Sequence, residues 1–292
     1  MPLTTLRDGR TLEWSEGGDP RGVPVFFCHG TPDTRRASWS GYDAAAEAGI
    51  RLVAANRPGY GASTAAAPSY ERCADDLMEL AESLHVDRFG LLGMSVGGTF
   101  ALATAARHPD RVGRVATVGC PGPATRMDPP YPRDGLDDEG RAFFDLLALG
   151  TAEDNVARVR PGFADYRRRV DPDDPDDAAL ARRWVEPLPP EDRALVERAP
   201  DAELAAAARE AIGSPEGYLA DAALVFAPWP FAPEDVGSPV TLWYGARDAQ
   251  APPRNGVWLA AHLPSAELRL LDGLGHLESL IRSWPEVLAG LR

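Results

Sequence analysis

Along the first 120 residues, short apolar runs alternate with longer stretches whose hydrophobic positions recur every three or four residues. The same rhythm returns from about residue 238. Residues 4–14 read as a hairpin turning at Asp8-Gly9, and Gly17-Gly18-Asp19-Pro20 as the loop that follows. Strand Val23–Cys28, a helix over 35–48 and a strand over 51–55 form a first crossover unit. A helix over 70–84, a strand over 89–92, a helix ending at Arg107 and a strand over Val112–Val118 continue the series. Strands at 240–244 and Ala266–Leu271 and a terminal amphipathic helix complete it. Strands that alternate with helices at this spacing predict an α/β fold with a mostly parallel sheet.

Between these blocks, from 121 to 237, the pattern changes to acidic, Arg-rich segments punctuated by proline, with helical periodicity at 139–149, 178–185, 191–197 and 202–212. The stretch is too long for a loop and carries no strand signal. It reads as a helical cap inserted into a core made of 1–120 and 238–292. A cap of this kind closes over the carboxyl edge of the sheet and excludes water. Phe143, Phe144, Tyr218, Phe226, Trp229 and Phe231 are its candidate substrate wall, facing His29, Gly30 and Met94 on the core side. For each aromatic, packing within the cap is the competing role. The acidic run Asp171-Pro172-Asp173-Asp174-Pro175-Asp176-Asp177 lacks the glycine turn and distal glutamate of a calcium loop, so it reads as a solvated turn.

The net charge is −14. Phosphate recognition needs clustered cations, so neither nucleic acid nor an anionic membrane is an expected partner. All thirty basic residues are arginine, which removes Schiff-base, phosphate-loop and Ser-Lys chemistry together. No apolar run of membrane-spanning length and no charged-then-apolar leader occurs, so the expectation is a cytoplasmic protein. Cys28, Cys73 and Cys120 are odd in number and widely spaced, which suits reduced, buried thiols. The expected partner is a small-molecule substrate, with a homodimer possible. No metal or cofactor is called for.

The chemistry centres on Gly93-Met94-Ser95-Val96-Gly97, where an apolar strand gives way to an Ala-rich helix. Glycines flanking a serine at this spacing permit a sharp turn that lifts the side chain above the sheet edge. A serine hydroxyl needs a base, an acid to orient that base, and donors for the developing oxyanion. Of five histidines, His276 lies late, on the glycine-rich loop Gly273-Leu274-Gly275-His276, and is the candidate base. Asp248, after the strand over 240–244, is the candidate acid, with capping of the next helix as its competing role. Asp128 is the alternative carboxylate. The Val96 amide and the Thr31 amide are the candidate oxyanion donors, because Pro32 has no N–H. His29 reads as structural.

These motifs, together with His29-Gly30-Thr31-Pro32, Asn56-Arg57-Pro58-Gly59-Tyr60-Gly61-Ala62-Ser63 and Gly245-Ala246-Arg247-Asp248, resemble the α/β-hydrolase family over nearly the whole chain outside the insertion. The resemblance implies a twisted sheet with helices on both faces and a Ser95-Asp248-His276 triad at its carboxyl edge. It is similar to the capped esterases, lactonases and aminopeptidases. Epoxide hydrolases and haloalkane dehalogenases carry aspartate at the position of Ser95. Proline iminopeptidases show His-Gly-Gly-Pro-Gly and a tryptophan after the serine, where this chain has Thr31, Asp33 and Val96. The expected activity is cleavage of an ester, thioester or lactone of a small, fairly apolar molecule through an acyl-enzyme. Carbon–carbon bond hydrolysis, acyl transfer and ligand reception without turnover would use the same residues.

Overall fold

A computed structural model of the chain describes residues 2–127 and 136–292. Asp128 lies outside the described residues. Eight strands form one sheet: β1 (Leu3–Thr5), β2 (Thr11–Gly18), β3 (Val23–Cys28), β4 (Ile50–Ala55), β5 (Phe89–Met94), β6 (Val112–Val118), β7 (Val240–Gly245) and β8 (Ala266–Leu271). Their spatial order is β1-β2-β4-β3-β5-β6-β7-β8. The β1/β2 and β2/β4 pairs are antiparallel and the other five parallel. The sequence reverses direction of growth at β3, so the carboxyl ends of β3 and β5 are neighbours at the switch point where open α/β sheets bind ligands.

Strand β5 is buried at all six positions, which is why it reads as a continuous apolar run rather than an alternation. Along β3 and β4 successive residues feed two separate cores. Phe26 and Val53 face one with α2 (Tyr70–Ser83), α3 (Val96–Arg107) and α10 (Arg254–His262). Val25, Phe27, Leu52 and Ala54 face the other with α1 (Tyr42–Glu47) and α12 (Trp284–Ala289). Residues 35–48 are not one helix. Thr34 caps a tight turn over Arg35–Gly41, and α1 follows. The break lies at Gly41, where a Cβ would sit 2.6 Å from the Trp284 ring.

Between β6 and β7 the described chain holds α4 (Asp138–Ala148), α5 (Ala152–Val170), α6 (Asp177–Val185), α7 (Pro190–Val196), α8 (Asp201–Ile212) and α9 (Glu216–Phe226), with no strand among the described residues. Four of these match the periodic stretches of the sequence. Helices α5 and α9 had no counterpart there, α5 because Pro161 sits inside it and removes one backbone donor. This segment has its own apolar cluster, built by Phe163, Val170, Leu180, Ala205, Ala208, Ile212 and Leu219. The acidic run is spent on structure: Asp176 caps α6, while Asp173 and Asp174 pair with Arg167 and Arg183.

Candidate active site

Ser95 follows β5 directly and precedes α3, with φ 53° and ψ −129°. The turn exists because nothing but hydrogen fits at its glycines. A Cβ at Gly93 would lie 2.5 Å from Gly97 O and Gly98 Cα, and one at Gly97 would collide with the Cys28 and His29 carbonyls at the end of β3. The Ser95 N–H donates to Val118 O at 2.8 Å, so the serine is pinned to the end of β6. Val96 heads α3, where a backbone N–H has no carbonyl of its own helix to meet.

Residue 119 is the hinge between the serine and the histidine. Gly119 has φ +59°, and a Cβ there would lie 2.8 Å from His276 Cε1 and 2.9 Å from Nδ1. The imidazole thus packs against the residue next to the one that holds Ser95. His276 Nδ1 donates to Asp248 Oδ2 at 2.6 Å, with both side chains buried. The other oxygen, Oδ1, accepts from the Gln250 and Ala251 amides, each at 2.8 Å. Asp248 therefore serves its turn and the imidazole at once, and the pairing assigns the Nδ1–H tautomer, which leaves Nε2 as the acceptor.

On the other side of the serine, a Cβ at Gly30 would stand 3.5 Å from Ser95 Cβ. Gly30 opens the loop that carries Thr31. Thr31 Oγ1 donates to Asp221 Oδ2 at 2.6 Å. His29 is fully buried, and both ring nitrogens are taken. Nδ1 donates to Gly30 O at 2.8 Å and Nε2 accepts the Arg57 N–H at 3.3 Å. Burial drives its pKa well below the ordinary imidazole value, with the Arg57 charge adding to the effect, so it is a neutral structural ring rather than part of a substrate wall. Cys28 and Cys120 flank the elbow as buried thiols, each pushed up to about 12 by burial.

Most of the expected wall residues pack on apolar neighbours. Met94 is buried in the core shared with Val25 and Phe27. Tyr218 packs on Phe163, ring centroids 4.8 Å apart, inside the helical segment's own cluster. Phe143 points outward, 43% exposed. Phe144 is buried edge-on against Phe226 at 5.4 Å. Trp229 and Phe231 stack at 5.0 Å and lie against the main core cluster.

Three carboxylates that the sequence did not single out lie at the seam between the helical segment and the core. Asp192, on α7, is fully buried and accepts the Glu278 N–H at 2.9 Å, at the start of α11 (His276–Ile281). Burial raises its pKa. Glu210, on α8, pairs with Arg35 at 3.1 Å and with Arg36, and accepts from Asn56 at 2.8 Å. Asp221, on α9, binds Arg57 at 2.6 Å. A signal existed for Asp221: it is a lone carboxylate within Tyr218-Leu219-Ala220-Asp221-Ala222-Ala223-Leu224, an otherwise apolar run apart from the Tyr218 hydroxyl.

A family profile described as alpha/beta hydrolase fold matches residues 23–280. The chain is 33% identical over 258 residues, 85% of this chain and 88% of the relative, to a pimeloyl-[acyl-carrier protein] methyl ester esterase of Aromatoleum aromaticum. It is 31% identical over 175 residues, 56% of this chain and 62% of the relative, to the non-heme chloroperoxidase CPO-A1 of Kitasatospora aureofaciens. Among solved structures, an esterase from Exiguobacterium antarcticum superposes with a TM-score of 0.71 at 19% identity, covering 99% of this chain and 97% of that one.

Proposed function

The chain belongs to the alpha/beta hydrolase fold family, and from that premise we propose that it is a serine hydrolase acting on a carboxylic ester, thioester or lactone of a small, fairly apolar molecule. The observation that supports this most is the buried 2.6 Å contact between His276 Nδ1 and Asp248 Oδ2, packed on the residue next to the one that anchors the Ser95 amide. In this reading His276 Nε2 takes the proton of Ser95 Oγ as the hydroxyl attacks the acyl carbon. Asp248 holds the tautomer and stabilises the imidazolium. The Val96 and Thr31 amides receive the oxyanion at the head of α3, where the helix dipole adds to them. The leaving alkoxide takes the proton from His276, and a water activated by the same imidazole releases the acid. The likeness to an esterase that cleaves a methyl ester of an acyl chain favours the ester over the other acyl substrates.

The helical segment 121–237 acts in this proposal as the cap, held to the loops of the site by Asp192, Glu210 and Asp221. The test is a series of p-nitrophenyl esters of increasing acyl length, with the protein and its Ser95→Ala variant. Many turnovers per molecule in the parent and none above background in the variant are expected. A single turnover, or equal rates in both, would refute the assignment.

A further inference from the structure

We propose that Asp221 and Arg57 are positioning residues for the oxyanion hole, so that a carboxylate from the helical segment aims a backbone donor of the core. The proposal rests on the assignment of Ser95 and Thr31 made above. Asp221 is 2% exposed. Its Oδ2 accepts from Thr31 Oγ1 at 2.6 Å, from Tyr60 Oη at 2.7 Å and from Arg57 Nη2 at 2.6 Å. Arg57 Nε adds contacts of 3.1 and 3.2 Å to the two carboxylate oxygens.

The same guanidinium reaches the loop with its remaining donors. Nη1 donates to His29 O at 2.6 Å and Nη2 to Gly30 O at 2.9 Å and Thr31 Oγ1 at 3.1 Å. The face of the group lies 4.4 Å above the Phe100 ring, which fixes its plane. The Gly30 carbonyl also accepts from His29 Nδ1. The peptide unit between Gly30 and Thr31 is planar and trans, so its C=O and N–H point in opposite directions. Clamping the Gly30 oxygen toward Arg57 therefore directs the Thr31 N–H to the opposite side of that peptide. Gly30 stands beside Ser95.

Each element of this clamp has a reason to be charged. A neutral donor would hold the carbonyl less tightly, and charge-assisted contacts are about twice as strong. A buried guanidinium without a counter-charge would be expelled or hydrated, so Asp221 must accompany it. Thr31 Oγ1 then ties the loop to the carboxylate directly, 190 residues away in sequence.

The test uses the full chain, one double variant and three single variants: Asp221→Asn, which keeps shape and removes charge; Arg57→Lys, which removes the fork; and Thr31→Val, which leaves the ion pair intact. Thermal melts and fluorophosphonate titration give the folded, competent fraction of each. For that fraction kcat is expected to fall roughly 10- to 100-fold with KM changed less than about threefold, because a misaimed donor is felt in the transition state. Affinity for a trifluoromethyl ketone analogue of the substrate should fall in parallel. The Arg57→Lys/Asp221→Asn double variant should be little worse than either single one. Should Asp221→Asn fail to fold, Thr31→Val decides the matter. Folded variants that lose melting temperature but keep kcat and analogue affinity would overturn the proposal, as would additive losses. A parent that turns over no ester overturns the hydrolase reading itself, whereas turnover retained by the parent and by all variants overturns only this one.

Discussion

Ser95 occupies backbone angles that favour glycine, φ 53° and ψ −129°, at a cost of about 1–3 kcal/mol for a residue with a Cβ. Replacing it should separate stability from activity. Ser95→Ala is expected to abolish turnover at unchanged stability, and Ser95→Gly to abolish turnover while standing about 1 kcal/mol above the alanine variant, once the entropy of a free glycine is subtracted. Equal denaturation midpoints for the two would show that the elbow is unstrained. Asp248→Asn should lower kcat by about 10⁴, as loss of the orienting acid does in triads. If the variant keeps near-parental kcat, the acid has been misassigned. Asp33 makes a different prediction. Burial, only partly offset by the Thr34 N–H and Arg57, raises its carboxyl to about 7, although the side chain keeps some contact with water. A carboxyl raised on folding favours the native state below its unfolded pKa, and that contribution is lost as pH rises through about 7. Asp33→Asn should therefore gain melting temperature relative to the parent at pH 8 and not at pH 4. Equal shifts at the two pH values would show the carboxyl to be ionised without penalty.

At the scale of elements, the inner strands were legible because burial on both faces leaves an unbroken apolar signature, as in Phe89-Gly90-Leu91-Leu92. The contact of His276 with Asp248 beside the Ser95 turn could be anticipated because each residue sits where glycine and strand end coincide. Where the aromatics pack could not be read, because an aromatic on a helix is equally suited to a pocket or to a neighbouring helix; Tyr218 packs on Phe163. Asp192 gave no signal, since Glu191 and Asp192 read alike and only the docking of α7 on α11 distinguishes them. The junction of β6 with the segment beyond it offers a test. Gly119→Ala adds a methyl 2.8 Å from His276 Cε1 at a positive φ. It should displace the imidazole, lowering kcat roughly 10- to 100-fold, while costing about 1 kcal/mol of stability. A variant with parental kcat would show that the ring has room to move. Trp229→Ala, at a stacked position against the main core, is expected to lower melting temperature and to affect short and long esters alike.

For the whole molecule, the helical segment has an apolar cluster of its own, yet Leu224, Trp229 and Phe231 join the main core cluster and buried carboxylates tie the segment to the core at Asp192, Glu210 and Asp221. The segment is thus expected to unfold with the core. Urea transitions followed by tryptophan fluorescence and by far-ultraviolet circular dichroism should coincide, and a resolved early transition would show independent domains. Because the ties are charged, their cost of breakage falls on the partner left behind. Arg57 is 7% exposed and pairs with Asp221, and a buried ion stripped of its counter-charge costs about 3–5 kcal/mol, whereas Arg35 keeps Glu13 at 2.9 Å when Glu210 is lost.

The consequence reaches beyond this chain to how such folds exchange parts. A recombination that grafts a foreign helical segment onto this sheet joins the backbone correctly and still strands Arg57 in the interior, while one that moves this segment onto a foreign sheet strands Glu210 and Asp221. Crossover points chosen from the ends of β6 and β7 alone would yield chimeras that misfold. Grafts that move Glu210 with Arg35, and Asp221 with Arg57, carry the lock and its key together.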